Sequence, residues 1–172
     1  MSDGSDTYDV EVFVSLRVPD RVALTALRTL TTEMDYGDDL VSLEREDYYA
    51  LNIVAGSPDE AIEYARSMVD DTTVFANPNK ETAEVVPKAR PVSEGGMVAV
   101  LVYPKPGIAS EPLKERLTRL GYDRVESIGR GVLWRLEVRG DDKLGTAAEV
   151  AVTRSRTDGL LFNPHSEDFE IL

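Results

Sequence analysis

Cysteine is absent from the 172 residues. That excludes disulfides, thiol nucleophiles and thiolate metal sites, and it suits a reducing compartment. Histidine occurs once, as His165, in a polar turn where a solvated role is the plain reading. With one imidazole and no thiol, a zinc site would have to be built mainly from carboxylates. Neither a metal nor any other cofactor is expected. Lysine is scarce, at 5 of the 19 basic residues. Nothing resembles a basic stripe able to displace phosphate counterions, so nucleic acid is not an expected partner. No apolar run approaches the ~20 residues a membrane helix needs. The opening Met1-Ser-Asp-Gly-Ser-Asp is polar and acidic, unlike a signal peptide, so a cytoplasmic, membrane-free location is expected.

What is present is charge, unevenly placed. The formal net charge is -13. Residues 1–86 hold 19 acidic and 6 basic side chains, and residues 87–172 hold 13 of each. The imbalance therefore lies wholly in the first half. We read this as an acidic solvent face on one half and a balanced, partner-facing surface on the other.

The chain also repeats itself. Val10-Glu-Val-Phe-Val-Ser-Leu matches Val98-Ala-Val-Leu-Val-Tyr-Pro, "DYGDDLVSL" at 35–43 matches "GYDRVESI" at 121–128, and Leu51-Asn-Ile-Val matches Leu136-Glu-Val-Arg. Asn77-Pro78 and Asn163-Pro164 stand 86 apart, and "VFANPNKETAEVV" anticipates "LFNPHSEDFEIL". The offset stays between 85 and 88 throughout. This is a tandem duplication.

Each half reads as βαββαβ. A valine-rich alternating strand, at about 9–17 or 97–103, precedes a helix. Asp20 caps the first helix, with Ala23, Leu24, Leu27, Leu30 and Met34 as its apolar stripe. Ser110 caps its counterpart, where Leu113, Leu117 and Leu120 face inward. A hairpin is expected next, 39–45 with 47–55 and 124–129 with 132–139, with Arg130 and Gly131 at the second tip. Ser57-Pro58-Asp59-Glu60 opens the second helix as a capping box. The matching helix, at 142–157, is weakened by Gly145 and several β-branched residues. Asn-Pro and a short strand, at 82–86 or 168–172, close each half. The expected fold class is α+β, as two tandem βαββαβ ferredoxin-like units forming a pseudo-dimer. The expected organisation is an acidic tail (1–8), repeat 1 (9–86), a Pro/Gly linker "PKARPVSEGG" (87–96) and repeat 2 (97–172).

Chemistry-bearing patterns are few. Asp38-Asp39, Asp70-Asp71 and Asp141-Asp142 sit at element ends, where capping outweighs acid-base work. Trp134 and Tyr49 occupy equivalent third-strand positions and read as packing residues. "YPKPGIASEPL" (103–113) places Lys105 and the permissive Gly107 ahead of a helix N-terminus. "SIGRGVLWRLEV" (127–138) carries Arg130 and Gly131.

Strand, "KPGI", helix ending "RLGYDRVESIGRG", strand "LWRLEV", helix and "LLFNPHSEDFEIL" together resemble the PurS family. This is the small S subunit of phosphoribosylformylglycinamidine synthase, in purine biosynthesis. The resemblance covers nearly all of 97–172 and, more faintly, 9–86. Its most specific part is the terminal Asn-Pro-x-x-x-Asp-Phe-Glu-Ile. Family members are about half this length, so the chain looks like two in tandem (PurS-like repeats 1 and 2). The resemblance implies a non-catalytic subunit of an ATP-dependent glutamine amidotransferase complex, docking the glutaminase subunit on the large synthetase subunit for ammonia transfer. It implies partner contacts at Lys105, Gly107, Arg130, Gly131, Asn163 and Pro164, and no catalytic residue or cofactor. Further self-association of the pseudo-dimer is compatible with it. The family's Asp-Pro-x-Gly is replaced here by Ala109-Ser-Glu-Pro-Leu, and the first half lacks the glycine. Tandem βαββαβ units also look like paired amino-acid-binding regulatory (ACT) modules, which would take a small ligand at a helix N-terminus. The Asn-Pro ending is foreign to that family.

Overall fold

The computed structural model describes residues 6–88, 96–106, 111–156 and 158–172. Gly107, the capping Ser110 and most of the linker lie outside them. The described elements are β1 (Asp6–Leu16), α1 (Arg21–Thr32), β2 (Leu40–Ala55), α2 (Pro58–Asp71), β3 (Glu81–Pro87), β4 (Met97–Pro104), α3 (Glu111–Arg119), β5 (Val125–Val138), α4 (Lys143–Ala151) and β6 (Glu167–Ile171). The chain is α+β, with one antiparallel sheet of order β3-β1-β2-β5-β4-β6.

Local signals behave as side-chain chemistry dictates. Asp20 caps α1 by accepting from the N–H groups of Val22 and Ala23. Ser57 Oγ accepts from Glu60 N, while the Glu60 carboxylate reaches back to Gly56 N at 2.8 Å. Asp142 caps α4 through Gly145 N. Each cap satisfies helix N–H groups that have no partner within the helix.

Both expected hairpins are absent. β2 runs unbroken for 16 residues and β5 for 14. Glu44-Arg45-Glu46 contains no turn-forming residue, and two of its side chains are held: Arg45 by Asp20 at 3.3 Å and Glu46 by Arg135 at 3.0 Å. Gly129 and Gly131 could make a turn, but neither adopts a positive φ. Gly129 stays in the extended strand, where a Cβ would lie 3.4 Å from that of Ala50, an ordinary contact. Arg130 and Gly131 therefore sit within a strand, not at a tip.

The chain forms two compact units, and neither follows one half of the sequence. Unit 1 comprises Met1–Arg17, Asp47–Arg90 and Gly107–Arg130; unit 2 comprises Val18–Glu46, Pro91–Pro106 and Gly131–Leu172. The core of unit 1 joins Val10, Val12, Leu51, Ile53, Ala65 and Met68 with Leu117, Val125 and Ile128 from the second half. In unit 2, Val98, Val100, Trp134, Leu136 and Val150 pack with Ala23, Leu30, Leu40 and Leu43 from the first. Leu30 and Leu117 are fully buried, each in the unit founded on the other half.

Three further expectations are corrected. Leu24 and Leu120 are each 53% exposed, while Ala26 takes the inward position on α1. The helix expected over 142–157 stops at Ala151. Val152 and Thr153 are β-branched and disfavour helix, and Val152 instead bridges Phe162. Gly159, at φ 72°, then turns the loop back against the carbonyl of Val152.

Candidate partner-binding site

The doubled Asn-Pro motif folds into one hydrogen-bonded device made twice. In unit 1 the Asn77 carbonyl accepts from Lys80 N and Glu81 N, at 2.9 and 2.8 Å. Its side-chain oxygen accepts from Asn79 N at 3.0 Å, and the Glu81 carboxylate accepts from Asn77 N at 2.6 Å. In unit 2 the Asn163 carbonyl accepts from Ser166 N and Glu167 N, at 3.1 and 2.9 Å. His165 N donates to the Asn163 side chain at 3.0 Å, and Asn163 N donates to the Glu167 carboxylate at 2.8 Å. Asparagine supplies the side-chain turn, proline presets the next φ, and the glutamate caps the remaining N–H. The pattern legible in the sequence as Asn-Pro is thus Asn-Pro-x-x-Glu in chemistry.

Each turn carries a cation. Lys105 N donates to Ser166 O at 3.0 Å, and Lys105 Nζ donates to Pro164 O at 2.5 Å. Arg17 N donates to Lys80 O at 2.9 Å, and Arg17 Nε donates to Glu81 O at 3.1 Å. Arg17 is therefore the counterpart of Lys105. The offset of 88 shared with the preceding strands pointed to it, but the missing glycine in the first half obscured the match. In both units a carbonyl at the turn accepts from the cationic head group and holds the charge in place.

Of the six residues singled out from sequence, five lie among the described residues and Gly107 does not. Lys105, Asn163 and Pro164 come together in unit 2. Arg130 belongs to unit 1, where its guanidinium carbon lies 5.6 Å from the centre of the Tyr49 ring. That ring is buried and packs edge-on against Phe75. Burial raises the Tyr49 pKa, and the Arg130 charge opposes the rise. Gly131 continues β5 in unit 2. His165 is exposed and its N–H serves the turn. Trp134 is buried in the core of unit 2.

Some polar positions were not read from the sequence. Tyr122 donates to Asp71 at 3.1 Å and to Ser67 O at 3.4 Å in unit 1. Tyr36, 86 residues earlier, donates to Asp158 at 2.7 Å in unit 2. Each fastens a segment from one half onto the closing region of the other. Arg154 pairs with Asp158 at 2.7 Å. Hydrogen bonds from Arg154 and then Tyr36 hold the Asp158 pKa down to about 2. Burial and the bond to Asp158 raise the Tyr36 pKa. Arg124 holds Glu60 at 2.6 Å and lowers its pKa, aided by Gly56 N–H. Glu11, buried in unit 1, accepts from Tyr48 at 2.7 Å. Among the described residues no group of acidic or histidine side chains is arranged to hold a metal. A shallow depression of about 330 Å³ lies along α3, lined by Lys114, Glu115, Thr118 and Arg119.

Fold and site together define an α+β chain whose two units each display a cation on an Asn-Pro-x-x-Glu turn. Compared with models of protein families and with curated proteins, the chain matches none.

Proposed function

We propose that the chain is a PurS-like bridging subunit of a phosphoribosylformylglycinamidine synthase, docking the glutaminase subunit on the synthetase subunit for ammonia transfer in purine biosynthesis. The observation that carries this reading is the doubled closing turn. The residues on which the family resemblance rests form the same hydrogen bonds at Asn77 and Asn163. The composition of the two cores supports a fused pair. Unit 1 contains β3, β1, the second part of β2 and the first part of β5, with α2 and α3; unit 2 contains the equivalent set. On this reading each is one ferredoxin-like unit whose first helix and following strand come from the other half. Covalent linkage makes that exchange intramolecular and raises its effective concentration. Arg17 and Lys105 offer the same contact twice, suited to one chain touching two partners.

The test is reconstitution of the synthetase and glutaminase subunits with and without this chain. Glutamine-dependent turnover should require it, while ammonia-dependent turnover should need it less. Equal glutamine-dependent rates would sink the reading. Lys105→Ala and Arg130→Ala should each weaken partner binding with the fold intact, measured by co-sedimentation and circular dichroism.

A further inference from the structure

The two outer strands of the sheet differ in what they leave exposed. Among the described residues β6 pairs with β4 alone. Lys105 N bonds Ser166 O and Leu172 N bonds Ala99 O. In an antiparallel ladder the bonded residues alternate, so Asp168 and Glu170 bond inward. Phe169 and Ile171 therefore direct their N–H and C=O groups outward, where among the described residues they take no further backbone partner. Their side chains pack on the core of unit 2, and the rings of Phe162 and Phe169 lie 4.9 Å apart. The strand is thus held firmly while its outer edge stays open.

The other outer strand is blunted at its end. In β3 the same alternation, fixed by Arg17 N on Lys80 O, turns Ala83, Val85 and Pro87 outward. Pro87 has no N–H, a common protection against edge pairing. β6 contains no proline, lysine or arginine.

We infer that the edge of β6 receives an extended segment of a partner protein carrying cationic side chains at alternate positions. Strand addition supplies main-chain hydrogen bonds to Phe169 and Ile171, and side chains flanking the edge supply selectivity. Asp168 and Glu170 are exposed on the sheet face away from the core of unit 2, so a strand added here would place every second residue beside them. A second copy of this chain fits poorly. Antiparallel pairing of two β6 strands would juxtapose their acidic rows, and pairing with β3 would bring in Glu84 on the face away from the core; like charges facing across strands are destabilising. A chain of net charge -13 also draws a cationic partner in solution.

The experiment adds a synthetic peptide of alternating lysine and valine to the full chain, with a glutamate–valine peptide as control, and follows amide exchange by NMR. The lysine peptide should slow exchange at Phe169 and Ile171 and leave β3 unaffected. Ile171→Pro, which removes an outward N–H, should weaken binding by up to roughly tenfold. The Asp168→Lys/Glu170→Lys variant should do so by a similar factor without touching the ladder, with circular dichroism checking that each variant is folded. Equal binding of both peptides, no protection at these amides, or full binding by the charge-reversed variant would overturn the inference. So would self-association that protects the same amides without peptide, which would assign the edge to a second copy.

Discussion

Unit 1 and unit 2 solve the same packing problem with different endings. In unit 1, α2 runs for 14 residues and reaches Asp71, whose carboxylate accepts the Tyr122 hydroxyl. In unit 2, α4 ends after 9 residues, and a loop places Asp158 to accept from Tyr36. The role of the carboxylate is kept while the backbone beneath it changes. A position in a repeated fold is thus preserved by the contact it must make, and the local conformation adapts around it.

That comparison can be broken at its most strained point. Gly159→Ala would place a Cβ on the Val152 carbonyl at φ 72°. A backbone clash combined with an unfavourable φ should cost about 4 kcal/mol or more, and unit 2 should lose amide protection before unit 1. Denaturant titration with residue-resolved exchange measures both effects.

The next test addresses the exchange of elements. Leu30→Ala and Leu117→Ala remove fully buried side chains and should each cost about 2–5 kcal/mol. Leu30→Ala should lower protection in β4 and α4, and Leu117→Ala in the first part of β1 and in α2. The reverse pattern would mean that each half packs on itself.

A smaller effect separates the two left-handed residues after the first helix of each half. Asp35 has φ 61° where Gly121 has φ 93°, with open space around the glycine. Gly121→Ala should destabilise by roughly 1–2 kcal/mol, whereas Asp35→Gly should be neutral or stabilise by up to about 1 kcal/mol. Thermal denaturation of the two variants reads the difference.

The gentlest probe is acid. The folded pKa of Asp158 is held to about 2, below its ordinary 3.8. Its contribution is therefore complete above pH 4 and disappears as pH falls toward 2. Asp158→Asn should flatten the stability profile of unit 2 across that window, monitored by acid titration of amide protection. An unchanged profile would mean that the carboxylate is equally well solvated when unfolded.

Much of this was legible in the residues. Asp20, Ser57 and Asp142 cap helices because their side-chain oxygens reach N–H groups two or three residues on, a purely local event. Lys105 could be singled out, but Arg17 became its counterpart only when each cation was seen on its own Asn-Pro turn. The hairpins could not be judged locally. Alternating burial looks the same in one long strand as in two strands joined by a polar tip, and Glu44-Arg45-Glu46 is held by Asp20 and Arg135, residues far away in sequence.

The sequence by itself determined the duplication, the kinds of elements, the caps and the Asn-Pro turns, because each depends on interactions within a few residues. Only the tertiary structure decided which half each helix and strand would pack against. Leu30 and Leu117 hold matching places in the apolar stripes of the two halves, and a stripe does not specify the surface that covers it. Only the continuous course of β2 and β5 commits each leucine to the unit founded on the other half.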